Sequence, residues 1–81
     1  MSEPWNELEY RELFSEFPVS GPRPTGEGLD RLVRRLNHSR GGIVAQWDDA
    51  AGYCSGASTA ASDALQAYID RMGLCRPPAV R

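Results

Sequence analysis

Eighty-one residues support one domain with one modest core, burying about 60–65% of the surface that the unfolded chain exposes, so little stability is held in reserve. Apolar residues at 41% and charged residues at 25% are ordinary for a globular domain, and no apolar run approaches the ~18 residues of a membrane span. A net charge of −2 excludes the strongly basic footprint of a general nucleic-acid binder.

All nine basic side chains are arginine, which points to a GC-rich genome and so to a bacterium or its phage. The opening "MSEPWNELEY" is acidic and broken by Pro4, unlike the basic head and apolar middle of a signal peptide. We therefore expect a cytoplasmic protein, with Cys54 and Cys75 reduced rather than bridged. Charge is uneven along the chain: Glu3, Glu7, Glu9, Glu12 and Glu16 crowd the first segment, and Arg23, Arg31, Arg34, Arg35 and Arg40 the middle.

Ser2-Glu3-Pro4 suits a helix opening, with a cap, an acidic first turn and a proline where its missing N–H costs little. Tyr10, Leu13, Phe14 and Phe17 follow at helical spacing and Pro18 stops the run, which predicts a helix over 3–17. "PVSGPRPTGEG", residues 18–28, is a stiff connector. Leu29, Leu32, Val33 and Leu36 form an amphipathic stripe, and Glu27–Arg31 and Asp30–Arg34 are i,i+4 pairs that would support it, predicting a helix over 27–40. Gly41 suits the left-handed position beyond that helix. Ile43, Val44, Trp47, Ala50, Ala51 and Cys54 predict a third helix over 43–54. The rival is a short strand "IVAQW", disfavoured because Val44 breaks its alternation. A last helix over 58–72, capped by Ser58 or Thr59, carries Ala61, Ala64, Leu65, Tyr68, Ile69 and Met72 and ends at Gly73, with Leu74 folding back; residues 76–81 form a frayed tail. The fold class is thus all-α, one small domain of four short helices over 1–81. Its core should include Trp5, Phe14, Phe17, Leu32, Leu36, Trp47, Leu65 and Ile69.

Chemistry is thinly represented. "SRGGIVAQW" places glycines before a helix but lacks the Lys and Ser/Thr of a phosphate loop, so it reads as an inter-helix joint. The one histidine, His38, has no local signature linking it to either cysteine, and a histidine near a helix C-terminus is welcome there for its charge alone. One His and two distant Cys make no metal site, and adjacent Asp48 and Asp49 diverge by about 100° on a helix, so they form no acid/base dyad. No enzyme, cofactor or metal is expected.

Two binding readings remain. Arg31, Arg34, Arg35, His38 and Arg40 on the second helix and Glu9, Glu12 and Glu16 on the first offer charged faces to a partner, most often another protein. These faces could also meet each other, within the monomer or across a homodimer formed through the N-terminal helix. The alternative is a helix-turn-helix nucleic-acid binder over residues 43–72, with the arginine helix on phosphate and Ser58, Thr59, Ser62 and Gln66 at base edges. Asp63 in that recognition helix weakens it. No membrane association is expected.

Overall fold

A computed structural model describes residues 5–57 and 60–75. Four helices follow in order, α1 (Glu7–Glu16), α2 (Gly26–Leu36), α3 (Arg40–Ser55) and α4 (Asp63–Met72), with no strand among the described residues. The all-α architecture is as the periodicity predicts. The strand reading of "IVAQW" is overturned, because these residues lie inside one unbroken α3. The boundaries move, and each shift has a local cause.

Helix α1 starts at Glu7 rather than at residue 3, and the anticipated opening at residues 2–4 lies outside the described residues. Asn6 is the cap. Its side-chain oxygen accepts from the Glu9 N–H at 2.9 Å, and Glu9 Oε1 accepts from the Asn6 N–H at 3.0 Å, a reciprocal capping box. Trp5, just before the cap, stacks on Tyr10 with centroids 5.7 Å apart, a hydrophobic staple that sets the angle of entry. Box and staple together fix the start of α1 at Glu7.

The connector is held at several points. Gly21 N–H donates to Pro18 O at 2.8 Å, Pro24 is buried and Val19 half-buried. Arg23 grips Asp48 through Nε at 3.0 Å and Nη2 at 2.7 Å, and this bond raises the arginine's already high pKa. Asp48 is therefore an anchor for the connector rather than a merely solvated residue. Gly28 permits the close approach of α1's end to α2: a Cβ there would lie 2.9 Å from the Phe17 ring.

Helix α2 ends at Leu36, four residues before its predicted stop. The left-handed position falls to Asn37 (φ 58), not to Gly41. Asn tolerates this conformation, and its N–H bonds Val33 O at 3.1 Å. Ser39 then caps α3, its hydroxyl accepting from Gly42 N–H at 3.0 Å, so Gly41 and Gly42 become the first turn of α3. The joint is Asn37-His38-Ser39, not the glycine pair. Helix α4 likewise starts at Asp63 rather than 58, capped by Ser62. Ser58, Thr59 and the tail 76–81 lie outside the described residues.

The core comprises Tyr10, Leu13 and Phe14 of α1, Leu29, Leu32 and Leu36 of α2, Ile43, Trp47 and Ala50 of α3, and Leu65, Tyr68 and Ile69 of α4, with Ala61 ahead of it. Six of the eight core residues anticipated from sequence are buried, while Trp5 and Phe17 pack half-buried on its edge. Helices α1 and α3 each pack on all the others, whereas the backbones of α2 and α4 do not approach closely. Helix α1 thus docks on its own chain.

The cysteines correct the expectation of free thiols. Cys54 and Cys75 form a disulfide, with Cα atoms 5.0 Å apart. Gly73 adopts the left-handed conformation, and Leu74 N–H returns to Ile69 O at 3.1 Å in the anticipated Schellman cap. That reversal carries Cys75 back to the last turn of α3. A separation of 21 residues gives no hint of this meeting.

Candidate functional site

The charged faces singled out from sequence are largely consumed inside the molecule. Glu16 pairs with Arg31 at 3.4 Å, Glu12 with Arg35 at 3.3 Å and Glu9 with His38 at 2.9 Å, forming a seam that zips α1 along α2. The two faces meet within one chain. The i,i+4 pairs expected along α2 do not form: Arg31 turns to Glu16 instead of Glu27, and Asp30 pairs with Arg40 instead of Arg34. Cross-helix carboxylates compete successfully because the helices are already brought together by burial of Leu13, Leu29 and Leu32. The arginine pairs are half-exposed, so each is worth only about 0.2–1 kcal/mol. Arg34 and Arg11 are exposed and have no ion-pair partner among the described residues.

His38 differs from the arginines. Its side chain is only 8% exposed and the Trp5 indole lies over it, centroids 4.3 Å apart and 7° from parallel. Glu9 serves both ends of this corner, with Oε1 on the Asn6 N–H and Oε2 on His38 Nε2. His38 therefore ties the α2–α3 joint to the start of α1, and does not stand free as a base. Replacing Glu9 by Ala removes both bonds, and we expect a loss of about 1–2 kcal/mol in urea unfolding with a red shift of tryptophan emission as Trp5 is released. Replacement by Gln, which can still close the box, is expected to lose under half as much.

Of the base-edge candidates, Ser62 and Gln66 are engaged elsewhere. Ser62 accepts from Leu65 N–H at 3.2 Å as the cap of α4, and Gln66 Nε2 donates to Ala61 O at 2.8 Å. Ser58 and Thr59 fall outside the described residues.

A different feature emerges between α1 and α4. A half-open groove of about 250 Å3 is lined by Trp5, Glu7 and Tyr10 on one side and by Ala64, Ala67, Tyr68 and Arg71 on the other. Ala64, Ala67, Tyr68 and Arg71 recur at i, i+3, i+4 and i+7, one stripe of α4. The alanines create the groove, because two small exposed side chains face an aromatic wall that they cannot fill. Tyr10 and Tyr68 meet at 5.5 Å, the Arg71 guanidinium lies 5.7 Å above the Tyr68 ring, and Arg71 also pairs with Glu7 at the rim. Burial raises the Tyr10 phenol above its ordinary 10.0, the Ser62 hydroxyl opposes this, and the Glu9 carboxylate adds to it. On the far flank of α4, the Tyr53 hydroxyl donates to Asp70 at 2.9–3.0 Å, and this bond to the carboxylate raises the Tyr53 pKa.

The sequence places Tyr68 on an apolar stripe and Trp5 in the core, and neither reads there as part of a site. The available signal was the pair of alanines three apart on a face otherwise bearing Tyr68 and Arg71. It becomes informative only once α1 is known to lie opposite.

Among the described residues no cluster of three His, Cys, Asp or Glu side chains could hold a metal ion, and no helix is long and apolar enough to cross a membrane. Compared with protein-family models, curated proteins and solved structures, the chain matches none.

Proposed function

We propose that this chain is a small non-enzymatic adaptor or regulator that binds a partner protein through the groove between α1 and α4. The observation that carries the reading is the groove's lining: Trp5, Tyr10, Tyr68 and Arg71 bring together the residue types that dominate binding hot spots. The occupant we favour is a large apolar side chain on a partner helix or loop. Glu7 and Arg71 already neutralise each other at the rim, so no net charge there selects a charged ligand. Ala64 and Ala67 leave room for a second backbone to approach α4. The setting we propose is a bacterium or its phage-infected host, on the all-arginine composition.

This reading moves the contact surface away from the α1–α2 seam, whose charges are largely spent on each other, and leaves Arg34 as a peripheral contact. The test uses tagged protein and host lysate, comparing wild type with Ala67→Arg, which fills the groove from an exposed position, and with Arg34→Ala. The expected result is a stoichiometric protein that survives nuclease, binds Ala67→Arg at least tenfold more weakly, and tolerates Arg34→Ala. Capture that is unchanged by Ala67→Arg overturns the groove. Capture that vanishes with nuclease and falls steeply with salt overturns the protein-binding reading in favour of a helix-turn-helix nucleic-acid binder.

A further inference from the structure

Helix α4 supplies one whole wall of the groove, yet it has only ten residues, below the roughly 12–15 at which an isolated helix becomes even marginal in water. It persists because it is docked. Leu65 and Ile69 are fully buried, Tyr68 nearly so, and at its outer flank Asp70 accepts from the exposed Tyr53 hydroxyl. A further tie is covalent: Cys75, just past the Gly73 cap, is bonded to Cys54 in the last turn of α3. Cys75 is exposed and Cys54 half-buried.

We propose that the Cys54–Cys75 disulfide is a reversible redox clasp, which governs whether the C-terminal half of α4 stays seated on α3 and so whether the α1–α4 groove keeps its second wall. The consequence for binding rests on the groove reading above; the clasp itself does not. Three observations converge on it. The bond joins the C-terminal end of α3 to a residue just past the C-terminal end of α4, so it closes the α3–α4 connector and the whole of α4 into one covalent loop. It lies immediately beyond the cap that orders Gly73 and Leu74, whose N–H groups return to Asp70 O at 3.3 Å and Ile69 O at 3.1 Å. Its Cys75 end is at the surface, where a dithiol can reach it.

The chemistry balances with a dithiol as reductant. One thiolate of the dithiol attacks Cys75 Sγ, forming a mixed disulfide and expelling the Cys54 thiolate. The second thiolate of the dithiol then attacks its own sulfur of that mixed bond, releasing Cys75 as the thiolate. Two electrons pass to the protein, the two protons that the dithiol gave up on ionising end on the two cysteine thiolates with no net uptake, and the dithiol leaves as a disulfide. In a reducing compartment such bonds are transient and sensing rather than architectural, which suits a clasp that opens. Closing a loop across a separation of 21 residues alters the opening equilibrium by about 10²-fold in the loop-entropy relation.

The experiment is hydrogen exchange of the full chain read by mass spectrometry, oxidised and in dithiothreitol, with thiols counted by alkylation under denaturing conditions. The oxidised protein is expected to show no free thiol. On reduction, protection over residues 69–75 should fall by about 10²-fold, with α1 and α2 retained, and reoxidation should restore it. The Cys54→Ser, Cys75→Ser double variant should match the reduced form and ignore the reductant. Two free thiols in protein isolated without reductant overturn the proposal. So does unchanged protection of α4 on reduction, and so does uniform loss of protection across α1 and α2, because the bond then holds the whole fold rather than α4. No partner is present in this measurement, so its failure leaves the groove reading standing, and failure of the groove reading leaves the clasp standing.

Discussion

Replacing Trp47 by alanine is expected to destabilise the chain by about 3–5 kcal/mol, most of the stability available to a domain this small. The indole has two roles. Its rings are buried in the core at 8% exposure, between Ile43 and Ala50 on the inner face of α3. Its Nε1–H donates at 2.9 Å to the carbonyl of Phe17, the C-cap of α1, where the chain must leave the helix because Pro18 follows. The alanine variant loses both the packing and the partner of that carbonyl. Trp47→Phe separates the two: it keeps most of the volume and loses the hydrogen bond, for about 1–2 kcal/mol. Urea unfolding followed by far-UV circular dichroism measures both. A phenylalanine variant as damaged as the alanine one refutes this division, since volume then counts for nothing.

The second large effect is at Leu13, where alanine is expected to cost about 2–5 kcal/mol. Leu13 is fully buried on α1, the helix that together with α3 packs on every other helix. A cavity there is surrounded by elements held in place from several sides, which limits how far the site can collapse. Leu8 on the same helix is the internal control. It is 64% exposed, and Leu8→Ala is expected to change stability by no more than about 0.5 kcal/mol. Similar losses at both positions would mean that α1 is not docked as described.

These variants also separate folding from binding. Ala67→Arg fills the groove from an exposed position on α4, not on the helices that carry Trp47 and Leu13, so lost capture with unchanged unfolding identifies a surface effect. The Glu9 variants report on the corner where Trp5 lies over His38.

What could be read from the residues in order was whatever local spacing dictates. Leu29, Leu32, Val33 and Leu36 declare an amphipathic helix, because 3.6 residues per turn place them on one face. Pro18 declares a stop, since it lacks the N–H that would continue the ladder. Leu74 following Gly73 declares a Schellman reversal. Likewise the acidic face of Glu9, Glu12 and Glu16 and the arginine helix were legible as complementary, and they do meet. The four-helix, all-α class follows from such signals alone.

Tertiary structure decided everything that depends on residues distant in sequence. Where local signals compete, as Gly41 does with Asn37, the choice follows the conformation in which the neighbouring side chains also bond and pack. Arg31 and Asp30 forsake their i,i+4 neighbours because partners on other elements become available at no further cost once the core has brought the elements together. The bond between Cys54 and Cys75 depends on the α3–α4 reversal, and the groove on two alanines of α4 lying opposite Trp5 and Tyr10. Periodicity determines which face of a helix turns inward. Only the packing of helix on helix determines what that face meets, and what small residues leave open.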